Sequence, residues 1–270
     1  MEEKYQLLEE KMQMYAQKDL VVAFSGGVDS SLLLELACEA AKENGTTVYA
    51  VTMQTRLHPA AEIDHARRVA EEVGAVHCVI PVDELMEAGI KNNPAERCYL
   101  CKKCLFEKLL QKAEELHTDV VLEGTNEDDL HVYRPGLRAI RELGIHSPLA
   151  EAGLTKAEVR ELAGRYGLSV SDRPAMPCLA TRFPYGTELS YEELHRVERG
   201  EDYIRSLGFY NVRLRVHGDI VRMEVDTEAF PAVLERRGEI LAQLKQLGYT
   251  YITMDLEGFR SGSMDIHIKS

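Results

Sequence analysis

The sequence predicts an α/β fold, a doubly wound and mainly parallel sheet, followed by a smaller C-terminal α+β domain. Three observations predict it. Short apolar runs alternate with segments of helical length from Val21 to Glu123. The first run ends in Ser25-Gly26-Gly27 and feeds straight into a helical segment. Beyond Gly186 the order changes to a helix, two alternating runs about His217-Gly218-Asp219, a helix and a strand, as in a separate small domain. A chain of 270 residues has ample length for a buried core. The boundaries drawn are 1–170 for the α/β domain, 171–186 for a Pro-rich connector carrying Cys178, and 187–270 for the α+β domain.

Met1–Gln17 reads as a leading amphipathic helix, with Tyr5, Leu7, Leu8, Met12 and Tyr15 at helical spacing. Val21–Phe24 is a buried strand, because its apolar residues run together without alternation. Asp29 and two serines open an apolar helical run, Leu32–Ala41. Thr47–Met53 is a second strand, Pro59–Val73 a helix stopped by Gly74, and Ala75–Pro81 a third strand. Val82–Ile90 has the length of a short helix and Leu100–Leu116 of a longer one; strand Asp119–Glu123 then runs into a loop, Gly124–Asp129. Thr155-Lys156-Ala157-Glu158 is a capping box starting a helix to Tyr166. The connector runs from Asp172 through Pro174, Pro177 and Pro184 to Gly186. Tyr191–Leu207 is helical, Asn211–Val216 and Ile220–Asp226 form a hairpin, Phe230–Leu247 is helical and Tyr249–Leu256 is a strand.

Ligands on an open parallel sheet sit beyond the C-terminal strand ends. The Ser25–Ser30 turn, the Met53–Thr55 turn and the Gly124–Asp129 loop all fall there. At the first, unpaired backbone N–H groups converge, the helix dipole favours negative charge, and glycine lets phosphate oxygens approach the main chain. No Gly-Lys-Ser/Thr follows at Walker A spacing, and the turn is not G-x-G-x-x-G. An ordinary turn capped by Asp29 and Ser30 is the structural alternative; six residues in the expected strand-turn-helix context favour the anion site.

An apolar fraction of 45% and a charged fraction of 29% are those of a soluble globular protein. Met1–Asp19 is acidic with no apolar core, so no signal peptide is expected. No run has the length to span a membrane, and a cytoplasmic location is expected. The net charge of −13 weighs against a nucleic-acid partner, which calls for a basic surface. Six cysteines in a reducing compartment suggest metal or chemistry before disulfides.

Cys38 and Cys78 sit inside an apolar helix and strand and read as buried small hydrophobes. Cys98, Cys101 and Cys104 form C-x-x-C-x-x-C. On a helix from Leu100 onward, Leu105, Phe106, Leu109, Leu110, Ala113 and Leu116 share one face, with Cys104 nearly opposite and Cys101 well off it. Core packing therefore does not explain them. Thiolates at this spacing suit Zn²⁺ or an iron–sulfur cluster, and the motif does not choose between the two. A fourth ligand must come from elsewhere, or a cluster iron is left open.

The Ser25-Gly26-Gly27-Val28-Asp29-Ser30 turn resembles the PP-loop of the ATP pyrophosphatase superfamily. Four further stretches carry a closer resemblance, Arg97–Lys102, Gly124–Asn126, Pro174–Gly186 and Asp255–Ser263, of which Cys178–Gly186 and Asp255–Ser263 are the specific ones. With them, nearly the whole chain resembles the LarE-type pyridinium-3,5-biscarboxylic acid mononucleotide sulfurtransferases of nickel-pincer nucleotide biosynthesis. That resemblance implies ATP and Mg²⁺ at Ser25–Ser30, with Met53, Gly124, Thr125, Asn126 and Asp128 around them. A substrate carboxylate would attack the α-phosphate to give an acyl-adenylate and pyrophosphate, and sulfur would then replace AMP. Some members use the cysteine matching Cys178 as a sacrificial sulfur donor. Others hold a [4Fe–4S] cluster on three cysteines; Cys98, Cys101 and Cys178 match that pattern, with Cys104 additional. The cluster is the reading adopted, with Zn²⁺ the lesser alternative and sulfide or another sulfur donor as second substrate.

Arg213 and Arg215 stand two apart on a strand, on one face, and arginine suits bidentate phosphate binding. The resemblance implies that they hold the substrate's own phosphate, with Glu224 and Arg260 as further candidates. Arg182, beside Cys178, would pair with a substrate carboxylate or lower the thiol pKa. A tRNA thiolase of the same superfamily would need a basic RNA face. An amidotransferase-type synthetase has no use for C-x-x-C-x-x-C, and a regulatory module would bind nucleotide without consuming it. The expected partner is a small-molecule nucleotide substrate, with no nucleic acid and no membrane; a homo-oligomer is compatible with the sequence.

Overall fold

The computed structural model of the chain describes residues 2–57, 61–132, 135–168 and 178–260. The expected helix start at Pro59, the connector residues Asp172–Pro177 and the stretch Ser261–Ser263 lie outside the described residues. The chain divides into two compact units, Met1–Gly89 with Glu96–Met176, and Ile90–Ala95 with Pro177–Ser270.

The first unit runs α1 (Glu2–Tyr15), β1 (Leu20–Ala23), α2 (Val28–Asn44), β2 (Val48–Gln54), α3 (Ala61–Val73), β3 (Val76–Pro81), α4 (Glu84–Glu87), α5 (Arg97–Glu115), β4 (Val120–Leu122), α6 (Glu127–Leu130), α7 (Gly136–Glu142), α8 (Pro148–Glu151) and α9 (Lys156–Arg165). Its four strands lie in the order β3-β2-β1-β4, all parallel. Successive residues of a strand point to opposite faces. Leu20 and Val22 of β1 enter a core shared with α1, α2 and α9, while Val21 joins Phe106, Leu109 and Ala113 of α5 on the other side. Helices on both faces make the sheet doubly wound, which is why β1 shows no polar alternation.

Helix α2 is buried nearly all round, from Leu32–Leu34 to Ala40 and Ala41, because α1 and α9 pack on its outer side. Lys4 Nζ bonds Glu158 Oε2 at 2.9 Å and the hydroxyls of Tyr5 and Tyr166 meet at 2.6 Å, tying α1 to α9. The expected capping box is present: Thr155 Oγ1 accepts the Glu158 N–H at 3.3 Å while Glu158 accepts the Thr155 N–H at 2.9 Å.

Several elements differ from expectation. Helix α5 starts at Arg97, three residues early, so all of C-x-x-C-x-x-C is helical. The Gly124–Asp129 loop turns into α6, whose capping box joins Asn126 and Asp129. The Val82–Ile90 helix shrinks to a single turn, α4, and α7 and α8 fill a stretch given no element from sequence. These short helices carry too few residues to display a period.

The second unit contains a 3-10 turn (Leu179–Arg182), α10 (Tyr191–Ser206), β5 (Val212–His217), β6 (Ile220–Val225), a second 3-10 turn (Thr227–Ala229), α11 (Phe230–Glu235), α12 (Arg237–Gln246) and β7 (Tyr251–Met254). The hairpin β5–β6 is antiparallel as expected, and β7 adds parallel to β6. The expected helix over 230–247 breaks at Arg236, which ends α11 and caps α12, and the last strand keeps four residues. Helix α10 lies close on β5 because Gly200 has no side chain; a Cβ there would stand 2.6 Å from Leu214 Cδ1. Segment Ile90–Ala95 joins this unit through Asn93, whose buried amide donates to the carbonyls of Phe183 at 3.1 Å and Pro184 at 2.8 Å.

Candidate functional site

The turn after β1 is shaped to receive an anion. Gly26 takes φ +74, in the left-handed region, and a Cβ there would press on Ala66 of α3 at 3.4 Å. Gly27, not Asp29 or Ser30, is the N-cap of α2, with extended backbone and no side-chain cap bond. The helix therefore begins with its first N–H groups uncapped, beside the positive end of its dipole. Ser25 and Ser30 brace the turn: their hydroxyls meet at 3.1 Å, and Ser30 Oγ also donates to the Gly27 carbonyl at 3.1 Å. Gly124 comes close from the β4 side, where a Cβ would lie 3.0 Å from Ser30 N.

The cleft beyond this turn has a volume of about 360 Å³. Ser25, Asp29, Ser30, Met53, Gly124 and Thr125 line it, so six of the sequence-derived residues meet at one place. Its apolar wall comes from Val51, Ile63, Leu105, Phe106 and Leu109. Val28 is buried in the first turn of α2, and Asn126 and Asp128 stand just behind the lining. Asp29 Oδ1 accepts from Asn126 Nδ2 at 3.0 Å and its Oδ2 from Lys156 Nζ, while Asp128 Oδ2 accepts the Lys156 N–H at 2.8 Å.

Several charged residues in or beside this cleft were not read as site residues from sequence. Lys156 is one, and the clue lay in its position: a cation in the first turn of a helix opposes the dipole unless an acid holds it. Lys102 lines the cleft with its ammonium 4.8 Å from the Phe106 ring centroid. Its stem passes over Gly136, where a Cβ would lie 2.8 Å from Lys102 Cγ. Glu123, buried at the end of β4, accepts from the Thr125 N–H at 3.1 Å, from Thr125 Oγ1 at 2.9 Å and from Ser147 Oγ. It fixes the loop that presents Gly124.

On α5, Cys98 is exposed and Cys101 half-buried, one helical turn apart. Cys104, placed by the helical wheel opposite the core, is instead half-buried near α4; burial and then the charge of Glu87 push its thiol up. Cys38 is buried as expected, its thiol pushed up to about 12 chiefly by burial. Among the described residues, no group of three ligating side chains converges.

In the second unit the side chains of β5 and β6 that face away from α10 and α12 are charged. Arg213, Arg215 and Glu224 are buried there, with Arg222 beside them. Glu224 accepts from Arg215 Nη2 at 3.0 Å and Arg222 Nη2 at 3.1 Å. Arg213 has no carboxylate partner among the described residues; it donates to its neighbour's carbonyl and lies 5.2 Å from the Phe259 ring centroid. Burial, and then the charge of Arg182, push its guanidinium down to about 10. Arg260 pairs with Glu257 at 2.7 Å.

Arg182, 2% exposed, is gripped at both ends of its fork by Glu201, Nε to Oε1 and Nη2 to Oε2, each at 2.8 Å. Its Nη1 donates to the Cys178 carbonyl at 3.2 Å. The arginine thus anchors the turn that carries Cys178, which is half-buried. Glu201 also accepts the Leu214 N–H on the open edge of β5 at 2.9 Å and Arg205 Nη2 at 2.6 Å. Burial raises its carboxyl, but the Arg182 bonds and charge outweigh that and hold it below its ordinary value.

Residues 6–130 match the Asparagine synthase family model. An uncharacterized protein of Synechocystis sp. is 38% identical over 96% of this chain and 96% of its own. The pyridinium-3,5-bisthiocarboxylic acid mononucleotide synthase of Lactiplantibacillus plantarum is 40% identical over 93% of this chain and 91% of its own. A tRNA-specific 2-thiouridylase of Geobacter metallireducens is 32% identical over 58% of this chain and 53% of its own.

Proposed function

The chain belongs to the LarE-type sulfurtransferase family of PP-loop enzymes, and we propose that it uses ATP to adenylate a carboxylate of a pyridinium mononucleotide and then exchanges the AMP for sulfur. The observation that carries this reading is the uncapped N-terminus of α2, which opens into a cleft with one apolar and one acidic side. The apolar side suits a nucleotide base, and the uncapped N–H groups with Lys102 suit phosphates. Asp29 would hold Mg²⁺ once Lys156 leaves it, and the freed ammonium would stand beside the phosphates.

The chemistry balances in two displacements. A carboxylate oxygen of the substrate bonds to the α-phosphorus while the bond to pyrophosphate breaks. A sulfur nucleophile then bonds to the acyl carbon, and AMP leaves with the former carboxylate oxygen. Lys102, Lys156 and the helix N-terminus oppose charge building on the phosphates during the first step. In the second unit, buried Arg213 would hold the substrate's phosphate and Arg215, through Glu224, would shape its pocket.

For the sulfur, Cys98, Cys101 and Cys178 would hold a [4Fe–4S] cluster, which would supply a sulfide when bound. A second reading is favoured by the lack of three converging ligands among the described residues. In it the Cys178 thiolate attacks the acyl carbon, AMP leaves, and loss of the Cα proton releases thiocarboxylate and dehydroalanine. The tRNA thiolase reading is set aside, because such relatives match little more than half of the chain. The test is pyrophosphate release from ATP with and without pyridinium-3,5-biscarboxylic acid mononucleotide. Release that needs the mononucleotide is expected; ADP and phosphate as products would refute the adenylation.

A further inference from the structure

Glu84 is an acid where an acid weakens the fold. It opens α4 yet is only 1% exposed, and its Oε1 is buried without a hydrogen-bond partner. Burial pushes the carboxyl up against the donors that favour its charged form. A buried carboxyl with one oxygen unsatisfied costs stability, and an apolar residue of similar volume would pack there with less penalty. Its contribution must lie in what the other oxygen holds.

That oxygen, Oε2, accepts the Arg56 N–H at 3.2 Å. The Thr55 side chain and the Leu57 N–H also favour the charged form of the carboxyl. These donors are consecutive residues of the segment that leaves β2, just past the end of its ladder with β3 at Gln54 and Pro81. The neighbouring main-chain bond, Val82 N–H to Gln54 carbonyl at 3.0 Å, holds the strand end but not the residues beyond it. Thr55 and Met53 line the cleft, and Leu57 is 1% exposed beneath them. The one acid of α4 that is buried is therefore the one that gathers the donors of a cleft wall.

We propose that Glu84 is a positioning residue of the nucleotide cleft, fixing Thr55–Leu57 so that Thr55 and Met53 present a rigid wall to ATP. The inference rests on the ATP reading above. A carboxyl that collects several donors of one short segment removes the freedom the segment would otherwise lose on binding. The wall is built before the nucleotide arrives, and the effect falls on binding rather than on the chemical steps.

The test is calorimetric titration of ATP with Mg²⁺ into the full chain, alongside steady-state kinetics. Glu84→Leu is expected to weaken ATP binding about tenfold, raising KM for ATP in step while kcat stays within about twofold. Glu84→Gln keeps an acceptor for the Arg56 N–H and is expected to restore most of the affinity. Should Glu84→Leu fail to fold, Thr55→Val, which removes one donor and leaves the carboxyl, is expected to weaken ATP binding about threefold. A folded Glu84→Leu with wild-type affinity would overturn the proposal, as would an unchanged Thr55→Val in its place or a fall in kcat at constant KM. Wild-type protein that binds no ATP would instead refute the nucleotide reading itself.

Discussion

Arg213 stands directly across the β5–β6 ladder from Glu224 and does not pair with it. The carboxylate goes instead to Arg215, diagonally opposite, at 3.0 Å and to Arg222 at 3.1 Å. Two arginines that alternate onto the same face thus have different standing. Arg215 is paired within the protein, whereas Arg213 is a buried cation with no carboxylate partner among the described residues, lying against the Phe259 ring.

Arg213→Met is therefore expected to leave stability unchanged or raised, since it removes an uncompensated buried charge. It should weaken binding of the phosphorylated substrate by about 2 kcal/mol. Arg215→Met should lower stability by about 1–3 kcal/mol, because Glu224 loses a charged donor. Urea denaturation with substrate titration separates the two, and equal destabilisation by both would show that Arg213 is structural.

Asp29 and Lys156 should act together at the other site. Asp29→Asn is expected to abolish pyrophosphate release, and Lys156→Met to slow it by about 100-fold. Because Lys156 occupies Asp29 in the ligand-free protein, Lys156→Met should also strengthen Mg²⁺ binding measured without nucleotide. Weaker Mg²⁺ binding in that variant would contradict the exchange of ammonium for metal.

Two carboxylates should set the acid limb of stability. Glu158 is held down to about 2 by the Thr155 N–H and then by Lys4, and Glu201 is held low by Arg182. A depressed folded pKa stabilises above the unfolded value, near 4.5 for glutamate, and that stability is lost as pH falls through the folded value. Stability should drop below about pH 4.5, and Glu158→Gln should flatten part of the drop. Glu201→Ala should cost about 3–5 kcal/mol at neutral pH, because it strands the buried Arg182. A pH profile unchanged by Glu158→Gln would disprove its share.

The turn after β1 was legible because glycine, an apolar strand and a helical run are local signals, and the structure puts them where sequence places them. The partner of Asp29 was not, since Lys156 lies 127 positions away and only the fold brings the two together. The same holds for Asn93, which reaches across 90 positions to the Phe183 carbonyl. Alternation put Arg213 and Arg215 on one face, but which of them Glu224 would neutralise depends on side-chain reach across the sheet. The wheel put Cys104 off the apolar face of α5, but its half-burial near α4, a helix one turn long, could not be read from the period of α5.

Sulfur supply can be read from the intact mass of protein handled without oxygen. With a cluster on Cys98, Cys101 and Cys178, each of Cys98→Ala, Cys101→Ala and Cys178→Ala should lose iron, Cys104→Ala should keep it, and turnover should continue with added sulfide. Loss of the mass of H₂S at Cys178 after one turnover would favour the sacrificial thiol and exclude the cluster as donor.

The most direct test of the central claim uses substrate whose carboxylate oxygens are ¹⁸O. If the carboxylate attacks the α-phosphorus and sulfur then breaks the acyl–oxygen bond, the AMP produced carries one ¹⁸O and the nucleotide product carries sulfur in its place. AMP without the label would contradict adenylation of the substrate, and with it the function assigned to the cleft at the head of α2.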